Sequence, residues 1–154
     1  MQILEMMGEM LRRAIKLRES GHLSEALSML VLAQEKLFGR PAAAFASFDI
    51  AEQLRLLSID ETPENARTKC LAYASTLKEA GLIYQAHGKA MPAASAFQLA
   101  LFVTLTVATD PRTPAKDLDP KIVQLLGLVE EDELYGPVAE LLKKIRANGF
   151  ELPV

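Results

Sequence analysis

The sequence predicts an all-α protein of about three helical hairpins, with a short extra helix after the first hairpin. Apolar residues recur at intervals of three and four through most of the chain, which is the spacing of helices with one buried face. The chain also matches itself when it is shifted by 67 residues, and such a self-match is typical of helical repeat proteins. The matched pairs are Leu17 and Tyr84, Gly21 and Gly88, Ala26 and Ala93, Leu30 and Phe97, and Ala33 and Ala100.

The first hairpin is predicted over about residues 2–38. Its first helix carries a stripe of methionine, isoleucine, alanine and leucine residues, and Gly21 ends it. Ser24 is the predicted N-cap of the second helix, since serine commonly accepts a hydrogen bond from the first helical turn. Gly39, Arg40 and Pro41 then break the chain.

The segment after the first hairpin departs from the repeat. Asp49 and Glu52 have the spacing of a capping box, which predicts a short helix over about residues 50–57. The segment is either an insertion or a decayed repeat unit, and the second is favoured because two units of about 34 residues would total nearly the observed shift.

The second hairpin is predicted over about residues 63–108. Thr62 followed by Pro63 is an N-cap and first-turn pair, which opens a long helix, and Gly88 makes the turn to the next helix. The stretch FVTLTV has the β-branched composition of a strand. We nevertheless predict a helix there, since the repeat aligns this stretch with a helical one.

The third hairpin is predicted over about residues 120–148. Asp119 and Pro120 repeat the cap-plus-proline start, and the last helix ends near Asn148 and Gly149. The loop that leads into this hairpin, TDPRTPAKDLDP over residues 109–120, contains three prolines.

The second unit resembles the tetratricopeptide repeat, a helix-turn-helix of about 34 residues. The resemblance lies in LKEAGLIYQAHGKAMPAASAFQLAL, where Leu77, Gly81 and Tyr84 precede the turn glycine and small and large residues follow it. The whole layout is similar to a small, functionally uncharacterised family of bacterial tetratricopeptide-like proteins. The resemblance implies a single domain over residues 1–154, folded as a right-handed superhelix of stacked hairpins that binds a protein or peptide without catalysis.

Composition and charge narrow the function classes. The formal net charge of −3 and the pI near 5.5 speak against nucleic-acid binding, which usually requires a basic face. The longest apolar run, from Leu99 to Ala108, is ten residues long and falls short of the roughly 20 that a membrane-spanning helix needs. The N-terminus lacks the pattern of a secretory signal. We therefore expect a soluble, cytoplasmic protein with no nucleic-acid or membrane partner.

Few residues of this chain could carry chemistry. Cys70 lies in an apolar context and is predicted to be a core residue, and His22 and His87 each stand beside a turn glycine. No cluster of histidine and cysteine has ligand spacing, and neither a phosphate-binding glycine loop nor a nucleophile elbow occurs in the sequence. We predict that the protein is not an enzyme and has no catalytic residue, metal or cofactor.

The candidate partner-binding residues follow from the spacing of the two helices that would line the inner face of the stack. They are Leu11, Ile15, Ser75, Lys78, Leu82 and Gln85. Some tetratricopeptide domains hold a terminal carboxylate with lysine and asparagine, but Leu82 stands where that asparagine is expected. An apolar groove therefore suits these residues better than a carboxylate clamp.

Three functions remain open at this stage. The first is a protein- or peptide-binding adaptor or scaffold, which we favour. The second is a chaperone for a bacterial client protein, since short acidic tetratricopeptide-like chaperones exist. The third, from another class, is an enzyme with an unrecognised site near residues 109–118. A homodimer is also expected, because a stack of so few hairpins leaves apolar ends uncovered.

Overall fold

The computed structural model describes residues 2–112 and 116–150, and this part of the chain is all-helical, without a strand. The prediction of an all-α fold is therefore confirmed. The α-helices in chain order are α1 (Ile3–Glu19), α2 (Leu23–Phe38), α3 (Ile50–Ser58), α4 (Pro63–Ala86), α5 (Ala90–Ala108), α6 (Asp119–Leu126) and α7 (Gly136–Ala147). Short 3₁₀ turns occur at Ala42–Ala44, Lys116–Leu118 and Glu131–Glu133.

The two copies of the repeat make the same turn. Gly21 and Gly88 both have a left-handed backbone, with φ of 82° and 73°. After each glycine, the next amide donates to the carbonyl five residues earlier, at 2.8 Å and 2.9 Å. This pattern closes a helix end and favours glycine, because other residues have a Cβ that is strained at positive φ. The turn glycines thus place α2 against α1 and α5 against α4.

The matched apolar positions are buried in both copies. They are Ala26, Leu30 and Ala33 in α2, and Ala93, Phe97 and Ala100 in α5. The second copy also has a close contact that the first lacks, since the ring of Phe97 lies directly over Gly81. A Cβ built at Gly81 would stand 2.6 Å from Cδ1 and 2.9 Å from Cζ of that ring. The glycine is therefore required by the aromatic ring opposite it.

Two predicted helix starts are confirmed. The Thr62 hydroxyl accepts a hydrogen bond from the Asn65 amide at 3.1 Å, and Pro63 is the first residue of α4. The Asp49 carboxylate accepts from the Glu52 amide at 2.9 Å at the start of α3.

Two other predicted caps are wrong. Ser24 lies inside α2, which begins at Leu23 directly after the glycine turn and has no side-chain cap. Asp119 is the first helical residue of α6 and not its cap, because the 3₁₀ turn before it leads straight into the helix. In both places the preceding turn already sets the direction of the chain.

Helix α4 lies at the centre of the packing. Helices α1 and α2 both pack against α4, and α5 makes the most extensive contact with it. Helices α6 and α7 both pack mainly against α5, whereas a third hairpin was expected to pair them with each other. The larger core cluster lies between α4, α5 and these last helices, and a smaller one joins α1 and α2 to α4.

Helix α3 is held in place by a buried amide. The Gln53 side chain donates to the carbonyls of Phe45 and Phe48, at 3.0 Å and 3.2 Å. Its oxygen accepts a 2.6 Å hydrogen bond from the Tyr73 hydroxyl of α4. The buried amide of Gln53 thus joins α3 both to the segment before it and to α4, and α3 also contacts α2 and α5.

Helix α5 is the one described helix that is long and apolar enough to cross a membrane by length and composition, with a mean hydropathy of 1.6. In the structure 56% of that stretch is buried against the rest of the protein, as in the core helix of a globular fold.

Candidate functional site

Four of the six predicted partner-binding residues line one cavity of about 190 Å³. We call it the α1–α4 pocket. Leu11 and Ile15 come from α1, and Ser75 and Lys78 come from α4. The remaining lining residues are Leu71, Ala74 and Glu79 of α4, Thr104 of α5, and Lys121 and Gln124 of α6. The pocket therefore forms where α1, α4, α5 and α6 meet.

The other two predicted residues lie beyond this pocket. Leu82 and Gln85 follow Lys78 by one and two helical turns on the same stripe of α4. Leu82 is half-buried and Gln85 is exposed, and neither lines the cavity. They continue the surface of the pocket toward the turn at Gly88.

Positive groups surround the pocket. The Lys78 ammonium donates to the side-chain oxygen of Gln124 at 2.8 Å, and Lys121 is exposed one turn earlier on α6. Arg18 of α1 forms an ion pair with Glu79 through its Nε and through its Nη2, the latter at 3.2 Å. Glu79 is only 4% exposed, and its carboxylate is paired with Arg18. The pocket is thus lined by two lysines, and the carboxylate of Glu79 in its lining is paired with Arg18, which lies outside the lining.

This arrangement shifts the pKa values of Lys78 and Arg18 in opposite directions. Burial lowers the pKa of Lys78, and the nearby positive charges of Lys121 and Arg18 lower it further, against the opposite effect of Glu79. Hydrogen bonding to Glu79 raises the pKa of Arg18. A negatively charged group that entered the pocket would therefore stabilise the charged form of Lys78.

The hydroxyl groups of the pocket are already used within their own helices. The Ser75 hydroxyl donates to the Leu71 carbonyl at 3.1 Å, and the Thr104 hydroxyl donates to the Ala100 carbonyl at 2.8 Å. The two lysine ammonium groups are consequently the donors that a ligand can engage, while the walls are apolar.

The enzyme hypothesis concerned residues 109–118, of which 113–115 lie outside the described residues. Next to this loop is a cavity of about 120 Å³, which Cys70 and Asp110 line together with Arg67 and Arg112. Hydrogen bonds from Arg112 hold the pKa of Asp110 below its usual range, and Arg67 binds Asp117 at 2.8 Å and 2.9 Å. Burial raises the pKa of Cys70 to about 11, so the thiol is protonated at neutral pH and is a poor nucleophile.

The residue types that could bind a metal ion are not grouped into a site in the described part of the chain. No group of three or more histidine, cysteine, aspartate or glutamate residues there could hold a metal ion. His22 and His87 are exposed residues of the two glycine turns.

Known proteins give no further guidance to the site. No protein-family model, no curated protein and no solved structure matches the chain. The candidate site therefore rests on the geometry and charge of the pocket.

Proposed function

We propose that this protein is a non-catalytic protein-binding adaptor or scaffold, which takes an acidic, partly apolar segment of its partner in the α1–α4 pocket. One observation carries the proposal: Lys78 and Lys121 line a cavity in which the carboxylate of Glu79, the acidic residue among the described lining residues, is already paired with Arg18.

The charge balance of the pocket supports an acidic ligand. The chain as a whole has a formal net charge of −3, so a locally positive cavity is unusual for it. A carboxylate from a partner could accept hydrogen bonds from Lys78 and Lys121 after displacing Gln124, which holds Lys78 in the free protein. The gain would be larger than at an open surface, because Lys78 is partly desolvated before binding.

The size and walls of the pocket support a protein ligand. A cavity of about 190 Å³ is smaller than the roughly 300–1,000 Å³ of typical small-molecule sites. It has room for one or two side chains. Leu11, Ile15 and Leu71 give it an apolar wall next to the lysines, which suits an acidic residue beside an aliphatic one.

The first test uses a pair of fluorescein-labelled, C-terminally amidated peptides, in which two leucines alternate with two glutamates or two glutamines. We expect the glutamate peptide to bind about tenfold more tightly, which corresponds to about 1.4 kcal/mol. Lys78→Gln and Lys121→Gln should each weaken its binding several-fold, whereas Lys36→Gln, an exposed lysine on α2, should not. Equal affinity for the two peptides would overturn the proposal.

A second test asks how far the site extends along α4. Capture from native extract is compared between the intact protein and Leu82→Glu, whose new carboxylate lies one turn from Lys78. If both forms capture the same partners equally well, Leu82 and Gln85 are not part of the site.

A further inference from the structure

A second surface lies on the other side of α4, in the groove between α2 and α5. Helix α3 fills one part of this groove, where it contacts α2, α4 and α5 and buries Leu54 and Leu57. Beyond the first turn of α3 the groove is open. We call this open part the α2–α5 groove.

The α2–α5 groove consists of two adjoining cavities: the first lies between the start of α3, α5 and the start of α7, and the second lies between α2, α4 and α5. One measures about 360 Å³ and the other about 330 Å³, and Leu99 of α5 lines both. The first is lined by Asp49, Ile50, Ala51, Gln98, Phe102, Tyr135, Pro137 and Val138. The second is lined by Leu27, Leu30, Val31, Gln34, Leu77, Ala80, Tyr84, Pro92, Ser95 and Ala96. From Phe102 to Pro92 the groove follows α5 for ten residues, or about 15 Å.

The polar side chains of the groove are already satisfied. Gln98 donates to the Glu133 carbonyl at 3.2 Å and accepts from the Tyr135 amide at 3.3 Å. Gln34 donates to the Thr76 hydroxyl at 3.0 Å. The Tyr135 hydroxyl is hydrogen-bonded to that of Ser95 at 3.2 Å. An occupant therefore needs few polar groups on the side that faces the groove, and the exposed side chain of Val31 and the exposed ring of Tyr135 are available for apolar contact.

The charge at one end of the groove is negative. Asp49 is the charged residue among the described residues that line the two cavities. The exposed acidic run from Glu130 to Glu133 comes just before Tyr135 in the sequence, and one of its members, Glu131, is paired with Arg146 at 2.5 Å. A positively charged group on the occupant would be attracted to this end, whereas the pocket on the other side of α4 attracts negative groups.

We propose that the α2–α5 groove binds an amphipathic α-helix of a partner protein, with an apolar stripe and lysine or arginine residues beside it. The shape of the groove favours a helix, because α3 already occupies the same inter-helix groove and the open part is about three helical turns long. The charge of its end favours basic residues near Asp49. This proposal stands independently of the α1–α4 pocket.

The probe for this proposal is a fluorescein-labelled synthetic helix of about four turns, with a leucine stripe flanked by two lysines. Its matched control has glutamates in place of the lysines. Val31 and Leu32 give a matched pair of variants, since they are 37% and 44% exposed on adjacent positions of α2 and only Val31 lines the groove. Ser95→Arg tests the opposite wall, and Asp49→Asn removes the charge while asparagine still caps α3.

We expect the lysine helix to bind and Val31→Lys and Ser95→Arg to weaken it at least about tenfold. Leu32→Lys should change its affinity less than about twofold, and Asp49→Asn should weaken the lysine helix about threefold without affecting the glutamate helix. Circular dichroism verifies that each variant is folded.

Several results would overturn the proposal. They are the absence of binding of the lysine helix at about 1 mM, equal binding of the glutamate helix, and an equal loss with Leu32→Lys. Light scattering tests whether a second copy of this chain occupies the groove. A dimer that Val31→Lys converts to a monomer would assign the groove to that second copy and overturn the partner-helix proposal.

Discussion

Replacing Gly81 by alanine tests why the two copies of the repeat differ. In the second copy the ring of Phe97, which is 1% exposed, lies against the Gly81 backbone. In the first copy the corresponding residues are Ala14 and Leu30, both buried in the same cluster. These two matched positions thus hold glycine and phenylalanine in the second copy, and alanine and leucine in the first.

The expected loss follows from two opposing effects. Alanine favours a helix by about 1 kcal/mol relative to glycine. Its Cβ would stand 2.6 Å and 2.9 Å from two ring atoms of Phe97, however, and forcing an extra group into a packed core costs about 1–3 kcal/mol. Because the ring is enclosed on all sides, we expect the upper end of this range and a net loss of about 1–2 kcal/mol in the free energy of unfolding.

A double-mutant cycle separates this contact from other effects. Phe97→Leu alone should destabilise the protein by about 1–2 kcal/mol, because it leaves a cavity over Gly81. Gly81→Ala with Phe97→Leu recreates the alanine and leucine pair of the first copy, so the combined loss should be smaller than the sum by about 1 kcal/mol or more. Urea unfolding followed by circular dichroism measures all four free energies.

Gly8→Ala is the matched control for this cycle. Gly8 also lies inside a helix, but a Cβ there would meet only the end of the flexible Arg12 side chain, at 3.5 Å. This substitution should stabilise the protein by about 0.5–1 kcal/mol. If Gly81→Ala is as stabilising as Gly8→Ala, or if the cycle is additive, the ring contact does not explain the glycine.

Three further predictions concern buried polar groups. Arg18→Met should cost about 2–3 kcal/mol in urea unfolding, because it leaves the buried Glu79 carboxylate without its cation, and Glu79→Gln in the same chain should recover part of the loss. Burial raises the pKa of the Cys70 thiol to about 11. The stability that the protonated thiol contributes is therefore complete below pH 9 and is lost as the pH rises from 9 to 11. Cys70→Ala should flatten that decline in the free energy of unfolding. Gln53→Leu should cost about 2–3 kcal/mol, because the buried Tyr73 hydroxyl loses its acceptor, and Tyr73→Phe should then cost little more.

The features of the fold that sequence could predict are those with local or repeated signals. Gly21 and Gly88 stand at the same place in both copies, and a left-handed turn is the reason for a glycine there. Thr62 and Pro63 mark a helix start within two residues. Ser24 and Asp119 show the limit of such signals, since a turn just before the helix can make a side-chain cap unnecessary.

The packing of α6 and α7 on α5 could not be predicted in the same way. Their positions depend on the loop before them and on long-range contacts, which have no periodic signal in the sequence. The same reason explains the partial prediction of the α1–α4 pocket. Ile15 and Lys78 could be chosen from helical spacing alone, whereas Lys121 and Gln124 come from α6 and reach the pocket only through that packing.

The two proposed surfaces lie on opposite sides of α4, and this bears on the proposed adaptor function. Lys78 of α4 faces the α1–α4 pocket, while Leu77, Ala80 and Tyr84 of the same helix face the α2–α5 groove. A helix with its side chains is about 10 Å across, so ligands on the two sides would not collide. Their charge preferences are opposite, so a ligand suited to one surface is repelled by the other. A single domain could then hold an acidic segment and a basic helix at the same time, which is what joining two partners requires.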